Sequence, residues 1–249
     1  KRKLMKPVIK KRGIILNSKD YKDNFKLLTI LTIDGPMHVI LKGANKMSSG
    51  TKKYTITPLE VDFLISQGKT ISTFTEGYII NNYTNLKNSY DKNMVSLVMI
   101  EKILAFCEHV FNYELFYHFV KKMFELLDTY DFNSIILNIF EIKLLYLLGI
   151  APNLNNCNRC QKKKTDLMLS ITLGGCCCKE CSNFIHCELT EEETKIFKYL
   201  YLIKLEKIDN QFLSLIANTQ IKFDDFIDQY YEKYIDFYSS AKKVLKKIS

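Results

Sequence analysis

Four cysteines form two closely spaced pairs in the second half of the chain. Two residues separate Cys157 from Cys160 and Cys178 from Cys181, and seventeen residues lie between the pairs. Each pair can form a tight turn that directs two thiolates at one metal ion, and four sulfur ligands complete the tetrahedral coordination that Zn²⁺ adopts in structural sites. Because no position remains for water, the spacing predicts one structural zinc ion per chain, held in a zinc ribbon.

The register of the second pair is open, because two further cysteines, Cys176 and Cys177, directly precede Cys178. Only Cys178 has the two-residue spacing to Cys181 that matches the first pair, and it is therefore the candidate ligand. The alternative is that these residues are reduced thiols or disulfides. A cytoplasmic environment keeps thiols reduced and favours the metal site.

Positive charge is concentrated in the first fifth of the chain. Residues 1–53 contain fourteen Lys and Arg against three Asp, whereas residues 54–249 contain 22 basic and 24 acidic residues. A concentrated positive field attracts polyanions, and phosphate contacts supply most of the sequence-independent affinity for nucleic acids. The charge distribution favours nucleic-acid binding by the N-terminal region, with a solvated basic tail as the alternative.

Charge and position select seven candidate DNA contacts in this region. They are Lys10, Lys11, Arg12, Lys42, Lys46, Lys52 and Lys53. Several of them belong to a small, basic segment over residues 43–53, which is a candidate phosphate-binding loop or an ordinary exposed connection. Tyr21, Phe25 and Tyr54 are aromatic residues that could stack on bases, although each of them alone fits a core position.

The fold class predicted from these patterns is an α+β multidomain protein. Five short, β-branched segments with turn residues between them occupy residues 1–82, and their number suits an OB-fold barrel used as a DNA-binding domain. Residues 83–249 show helical periodicity and predict an α-helical domain, with a zinc-binding insertion at about 153–188. The last helix is expected over about 223–248, with solvated lysines at its end.

Motifs for catalysis are absent from the sequence. It contains no H-E-x-x-H, no phosphate-binding Walker loop and no G-x-S-x-G, so the prediction is a protein that is not an enzyme. No apolar segment has the form of a signal peptide or a membrane span. We therefore expect a cytoplasmic protein with no membrane partner.

The order of motifs resembles a known family along essentially the whole chain. The matching segments are Arg12-Gly13-Ile14-Ile15-Leu16, Lys42-Gly43-Ala44-x-Lys46, Phe140-Glu141-x-Lys143-Leu144-Leu145-x-Leu147-x-Gly149, Pro152-x-Leu154-x-x-Cys157-x-x-Cys160 and Gly174-Gly175-x-x-Cys178-x-x-Cys181. This arrangement resembles the RecO family of bacterial recombination mediators. The chain departs from the family pattern at Asn45, where the loop usually carries arginine, and in its run of three cysteines at 176–178.

The resemblance implies a mediator of DNA repair and homologous recombination in the RecF pathway. RecO proteins bind single- and double-stranded DNA, anneal complementary strands and, with RecR, help to load RecA onto strands coated by single-strand-binding protein. The barrel is the DNA-binding domain in family terms. The helical domain offers a groove for the acidic, apolar C-terminal tail of single-strand-binding protein. The resemblance also implies a bacterial, nucleoid-associated location.

Two other classes of protein share some of these features. A zinc-ribbon adaptor of transcription or RNA metabolism would explain the basic barrel and the zinc site, but not the long helical segment that leads into the first cysteine pair. A zinc-dependent hydrolase acting on nucleic acid would need an open metal position and a general base. The four-cysteine set supplies neither.

Overall fold

The computed structural model describes residues 7–22, 24–44, 50–68, 70–221 and 223–248, and the chain divides into two compact units, residues 1–129 and 130–249. The N-terminal unit contains a β-barrel and three helices. The C-terminal unit contains the remaining helices and a two-stranded sheet. The division of the chain into domains at 1–82 and 83–249, with an insertion at about 153–188, stays a prediction.

Five strands form the closed barrel of the N-terminal unit. They are β1 (Val8–Tyr21), β2 (Phe25–Thr32), β3 (Gly35–Lys42), β4 (Leu59–Ser66) and β5 (Ser72–Asn81). Their order around the ring is β1-β2-β3-β5-β4, with β4 returning to pair with β1. The β3–β5 pair is parallel and the other four are antiparallel. This order confirms the predicted OB-fold barrel.

A short 3₁₀ helix between β3 and β4, Lys52–Thr55, contributes an aromatic ring to the barrel core. Tyr54 is buried among the inward-facing residues, with its ring centroid 4.8 Å from that of Phe74. The next strand, β4, therefore begins only at Leu59. Pro58 precedes it and has no N–H to donate to a neighbouring strand.

Three helices complete the N-terminal unit: α1 (Thr84–Asn88), α2 (Tyr90–Phe106) and α3 (Tyr113–Thr129). A buried carboxylate on the barrel joins α3 to β4. Glu60 is 1% exposed, and it accepts hydrogen bonds from Lys121 Nζ at 2.8 Å and from the Tyr117 hydroxyl at 3.2 Å. A buried charge is tolerated only when it is paired, so this contact fixes which face of α3 meets the barrel.

The C-terminal unit contains six helices and one β-hairpin in the described residues. They are α4 (Asn133–Leu147), β6 (Leu167–Ser170), β7 (Gly175–Cys178), α5 (Lys179–Ser182), α6 (Glu191–Leu202), α7 (Asn210–Ala217), α8 (Asp224–Ile235) and α9 (Ser240–Ile248). Thr190 and Glu193 form a capping box at the start of α6. No helix in the described part of the chain combines the length and hydropathy needed to span a bilayer.

The predicted single helix over about 223–248 is wrong, because the chain breaks after Ile235. Asp236 adopts the left-handed conformation, with φ 49°, and a second helix begins at Ser240. Asp tolerates this conformation better than most residues because its short polar side chain can hydrogen-bond locally. The break folds α9 back and buries Lys242, which the sequence pattern had placed on a solvated helix end.

Lys242 forms a buried ion pair with α4 and α8. Its Nζ lies 2.8 Å from Glu141 and 2.8 Å from Asp228, and Glu141 is 0% exposed. Burial lowers the pKa of the Lys242 ammonium, but the two carboxylates outweigh that effect and leave the pKa raised. Lys242 therefore stays charged and compensates a carboxylate that is fully removed from water.

We expect Lys242→Met to lower the free energy of unfolding of the C-terminal unit by about 3 kcal/mol, because it leaves Glu141 buried without its main cation. Lys243→Met is the matched control, since the neighbouring side chain is exposed. Thermal unfolding by circular dichroism, with hydrogen exchange of α4 and α8, measures the effect. Equal stability and equal exchange in the two variants would contradict the assigned role of the ion pair.

Candidate metal centre and nucleic-acid surface

The two predicted cysteine pairs come together at one end of the β6–β7 hairpin. Cys157 and Cys160 lie in the loop after α4, whereas Cys178 ends β7 and Cys181 lies in α5. Their four Sγ atoms are all within 4.8 Å of one another, and the Cys160–Cys178 separation is 3.9 Å. Tetrahedral zinc with about 2.3 Å bonds requires sulfur separations of about 3.8 Å, so the four residues fit a metal ion.

Backbone groups form hydrogen bonds with the sulfur of Cys157. Burial raises the pKa of the Cys157 thiol, but hydrogen bonds from the backbone of Cys160, Cys178 and Arg159 outweigh burial and lower the pKa to about 6. A thiolate is the form that binds metals. The backbone contacts alone therefore stabilise negative charge on the Cys157 sulfur.

Asparagine side chains hold the first cysteine loop in shape. The Asn153 side chain donates to Asn156 Oδ1 at 2.9 Å and to Asn158 Oδ1 at 2.8 Å. Backbone bonds then join this loop to β7, since Asn158 N donates to Cys176 O at 2.7 Å and Cys176 N donates to Asn153 O at 2.9 Å. Sequence reasoning missed these residues, although the asparagine-rich run at 153–158 could have indicated a hydrogen-bonded turn.

The neighbouring thiols lie outside the sulfur cluster. Cys176 and Cys177 are buried in β7, and burial raises their pKa values to about 11 and about 12. Cys177 Sγ instead lies 3.6 Å from the carbonyl of Cys178, to which it can donate. The geometry therefore places Cys178 with Cys181, as the two-residue spacing predicted, while the metal-binding role of the four residues stays a prediction.

Arg159 links the two cysteine turns and was not selected from the sequence. Its Nη1 donates to Cys181 O at 3.3 Å, and its guanidinium carbon lies 4.6 Å from the ring centroid of Phe184. A cation over an aromatic face is attracted by the ring quadrupole. If the four cysteines bind a metal as thiolates, a positive group on the same turns would offset part of their charge.

Three of the predicted DNA contacts lie on β1, and carboxylates accompany all of them. Arg12 forms a bidentate ion pair with Asp62 on β4. Its Nε donates to Oδ1 at 2.6 Å and its Nη2 donates to Oδ2 at 3.1 Å. Lys10 Nζ lies 3.5 Å from the same carboxylate, and Lys11 pairs with Asp34 in the β2–β3 turn. The basic side chains are therefore on the barrel surface, but their charge is partly neutralised.

The remaining predicted contacts lie elsewhere on the barrel. Lys42 ends β3, with its Nζ 6.0 Å from the ring centroid of Phe25, and Lys53 Nζ lies 5.0 Å from that of Tyr54. Lys52 is exposed in the same 3₁₀ helix, whereas Lys46 lies outside the described residues.

Strand pairing separates these two groups of basic residues. Phe25 pairs with both Tyr21 and Lys42, at the opposite end of the β1–β2 hairpin from Lys10 and Arg12. The candidate DNA contacts therefore form two surfaces.

A groove of about 990 Å³ lies in the C-terminal unit, between the end of α6 and α7. Its apolar wall includes Leu202 and Leu215, each 61% exposed, and Lys204 and Lys207 also line it. Asp209 lines the groove too, but its carboxylate caps α7 by accepting from Phe212 N at 2.8 Å. The groove therefore presents exposed apolar side chains beside two cations.

The barrel, the C-terminal helices and the clustered cysteines together define a class of protein: an OB-fold protein with a helical C-terminal region that contains a four-cysteine β-hairpin. Two family profiles match the chain, Recombination protein O N terminal over residues 5–83 and Recombination protein O C terminal over residues 88–241. The chain belongs to the recombination protein O family.

Curated relatives cover nearly the same length. A protein of Oceanobacillus iheyensis named DNA repair protein RecO is 28% identical over 95% of this chain and 92% of its own length. Proteins with the same name are similar at 23% identity in Bacillus subtilis, over 94% and 92% of the two chains, and at 28% in Clostridium acetobutylicum, over 81% and 83%. The similarity therefore extends through both units.

We expect Cys160→Ser to lose the predicted zinc ion and to destabilise the hairpin around it, because three thiolates do not close the coordination sphere. Cys187→Ser is the matched control, since that thiol lies outside the sulfur cluster. Metal analysis and thermal unfolding check both variants. Full zinc content and an unchanged melting curve in Cys160→Ser would contradict the assignment.

Proposed function

We propose that this protein is a non-catalytic mediator of DNA repair and homologous recombination in the RecF pathway. The observation that carries the proposal is family membership along the chain, because the family profiles match both units and the relatives are named DNA repair protein RecO. The barrel supports the same interpretation, since OB-folds commonly bind oligonucleotides. The protein would act in the bacterial cytoplasm, associated with the nucleoid.

DNA binding in this proposal is electrostatic and independent of sequence. Lys10, Lys11 and Arg12 on β1, together with Lys42, Lys52 and Lys53, would contact phosphates of single- or double-stranded DNA. Phosphate contacts release bound counterions and weaken steeply with salt, so a protein that uses them can bind any strand and then dissociate. A mediator needs both properties.

Strand annealing follows from charge neutralisation. Two phosphate backbones held on basic surfaces repel each other less, and base pairing then supplies the free energy of annealing. With RecR, the protein would help to load RecA onto strands coated by single-strand-binding protein. Zinc would be structural, with one ion bound by Cys157, Cys160, Cys178 and Cys181.

The groove between α6 and α7 is the surface that we assign to the tail of single-strand-binding protein. That tail is acidic and apolar, and the groove combines Leu202 and Leu215 with Lys204 and Lys207. Apolar side chains would enter between the leucines, while the two ammonium groups would pair with carboxylates at the rim.

The first test is annealing of complementary strands coated with the cognate single-strand-binding protein. We expect the triple variant Lys10→Gln, Lys11→Gln and Arg12→Gln to anneal slowly. Its log–log salt slope for binding single strands should be flatter by about two, because each phosphate that the protein neutralises contributes about 0.7. Glutamine is preferred to glutamate because a new negative charge would repel Asp34 and Asp62.

The matched control removes three exposed lysines outside the barrel. They are Lys233, Lys243 and Lys247, each changed to Gln. Wild-type annealing by the control and slow annealing by the β1 variant would support the proposal. Equal salt slopes would exclude the β1 surface, and no annealing by folded, zinc-loaded wild type would favour an RNA-binding or transcription adaptor.

The groove assignment is tested with a peptide that has the sequence of the C-terminal tail of single-strand-binding protein. We expect Leu215→Asp to weaken peptide binding at least about tenfold, because it places a carboxylate among the apolar contacts and opposite an acidic ligand. Val244→Asp is the control, since Val244 is an exposed apolar residue outside the groove. Isothermal titration with equal affinities for both variants would exclude the groove.

A further inference from the structure

The register of β1 and β4 brings one carboxylate to two basic side chains. Arg12 lies directly opposite Asp62 in the antiparallel pair, and Lys10, two residues earlier on β1, is opposite Leu64. Side chains two residues apart on a strand share a face, and a diagonal neighbour is within reach of a long side chain. The contacts of Asp62 with Arg12 and Lys10 are therefore set by strand pairing.

The contact leaves most of the Arg12 guanidinium available. A guanidinium has five N–H groups, and Asp62 accepts from one on Nε and one on Nη2. The other three have no hydrogen-bond partner in the described part of the chain, and the side chain is 52% exposed. Asp62 therefore orients the guanidinium and leaves its other three N–H groups available to a ligand.

Asp62 also keeps its negative charge under ordinary conditions. The hydrogen bond from Arg12 lowers the pKa of the Asp62 carboxyl, which burial alone would raise. Asp34 forms a similar but more exposed ion pair, because it contacts Lys11 while its own side chain is 68% exposed. Three basic residues on β1 therefore share two carboxylates.

A phosphate must compete with these carboxylates for the same cations. Asp62 is 19% exposed and the Arg12 side chain is 52% exposed, so a phosphate can reach the guanidinium while the carboxylate still holds it. Ion pairs that remain open to water on one side contribute only modest stability, and a phosphate can therefore compete with the carboxylate. DNA has the additional advantage that its phosphates release condensed counterions on contact, which a single carboxylate does not. The balance between the two anions then determines how tightly the β1 surface holds a strand.

We propose that Asp62, with Asp34, competes with DNA phosphate for the basic side chains of β1. Asp62 orients Arg12 and Lys10 for contact with DNA, and the competition lowers the affinity of the β1 surface for the strand. The inference rests on the proposed DNA-binding function and adds a residue that sets the strength of that binding. When a phosphate dissociates, the Asp62 carboxylate forms its ion pairs with Arg12 and Lys10 again. This favours dissociation of the strand.

The test compares Asp62→Asn with wild type in binding a fluorescent single-stranded oligonucleotide across a salt series. We expect the full-length variant to bind about three- to tenfold more tightly at about 0.1 M salt, since each exposed ion pair is worth up to about a fivefold change. Asparagine keeps one acceptor oxygen for Arg12, while it removes the negative charge and replaces the second acceptor oxygen with an NH₂ group. Dissociation of the strand should slow by a similar factor.

Two further variants separate local competition from a general change in charge. Glu76→Gln removes an exposed carboxylate from β5 that has no ion pair in the described part of the chain, and we expect its affinity to change less than about twofold. In an Arg12→Gln background, Asp62→Asn should have a smaller effect, because one of its two cations is already gone.

The outcomes distinguish this inference from the proposed function. Wild type that binds DNA while Asp62→Asn binds equally or more weakly would overturn the role of Asp62 and leave DNA binding intact. No binding by folded wild type would instead refute the function on which the inference rests. If Asp62→Asn does not fold, Asp34→Asn decides: tighter binding supports the competition, and unchanged binding overturns it.

Discussion

The antiparallel pairing of β1 with β4 is the constraint on which the N-terminal unit depends. It closes the five-stranded ring and directs Ile15, Val61 and Phe63 into one core. The same register places Arg12 opposite Asp62, on the outer face. A slip of one residue would exchange the two faces of a strand, so the apolar core and the surface ion pairs are determined together.

The C-terminal unit depends instead on contacts between residues distant in sequence. Glu141 on α4 is fully buried, and Lys242 reaches it from a helix 101 residues later. The cysteine hairpin is organised differently, by backbone and asparagine hydrogen bonds that direct four sulfurs to one point. The first arrangement compensates a buried charge through tertiary packing, while the second brings four sulfur atoms together through contacts within a short segment.

The barrel surface carries basic side chains together with carboxylates that pair with them. Lys10, Lys11 and Arg12 are exposed enough to contact a polyanion, but Asp34 and Asp62 accompany them. Such a surface binds weakly and responds to salt, which suits a protein that handles strands without reading their sequence. The four-thiol site contributes no open coordination position, so its expected contribution is structural.

The sequence by itself determined the features that depend on local spacing. The two cysteine pairs and the five strands of the barrel were recognisable because turns and alternating patterns involve residues close along the chain. Only the tertiary structure decided the break at Asp236, the burial of Lys242 and the pairing of Arg12 with Asp62. The two ion pairs join strands or helices far apart in sequence, whose contacts are set by packing and by the need to compensate charge, and the break at Asp236 allows Lys242 to reach Glu141.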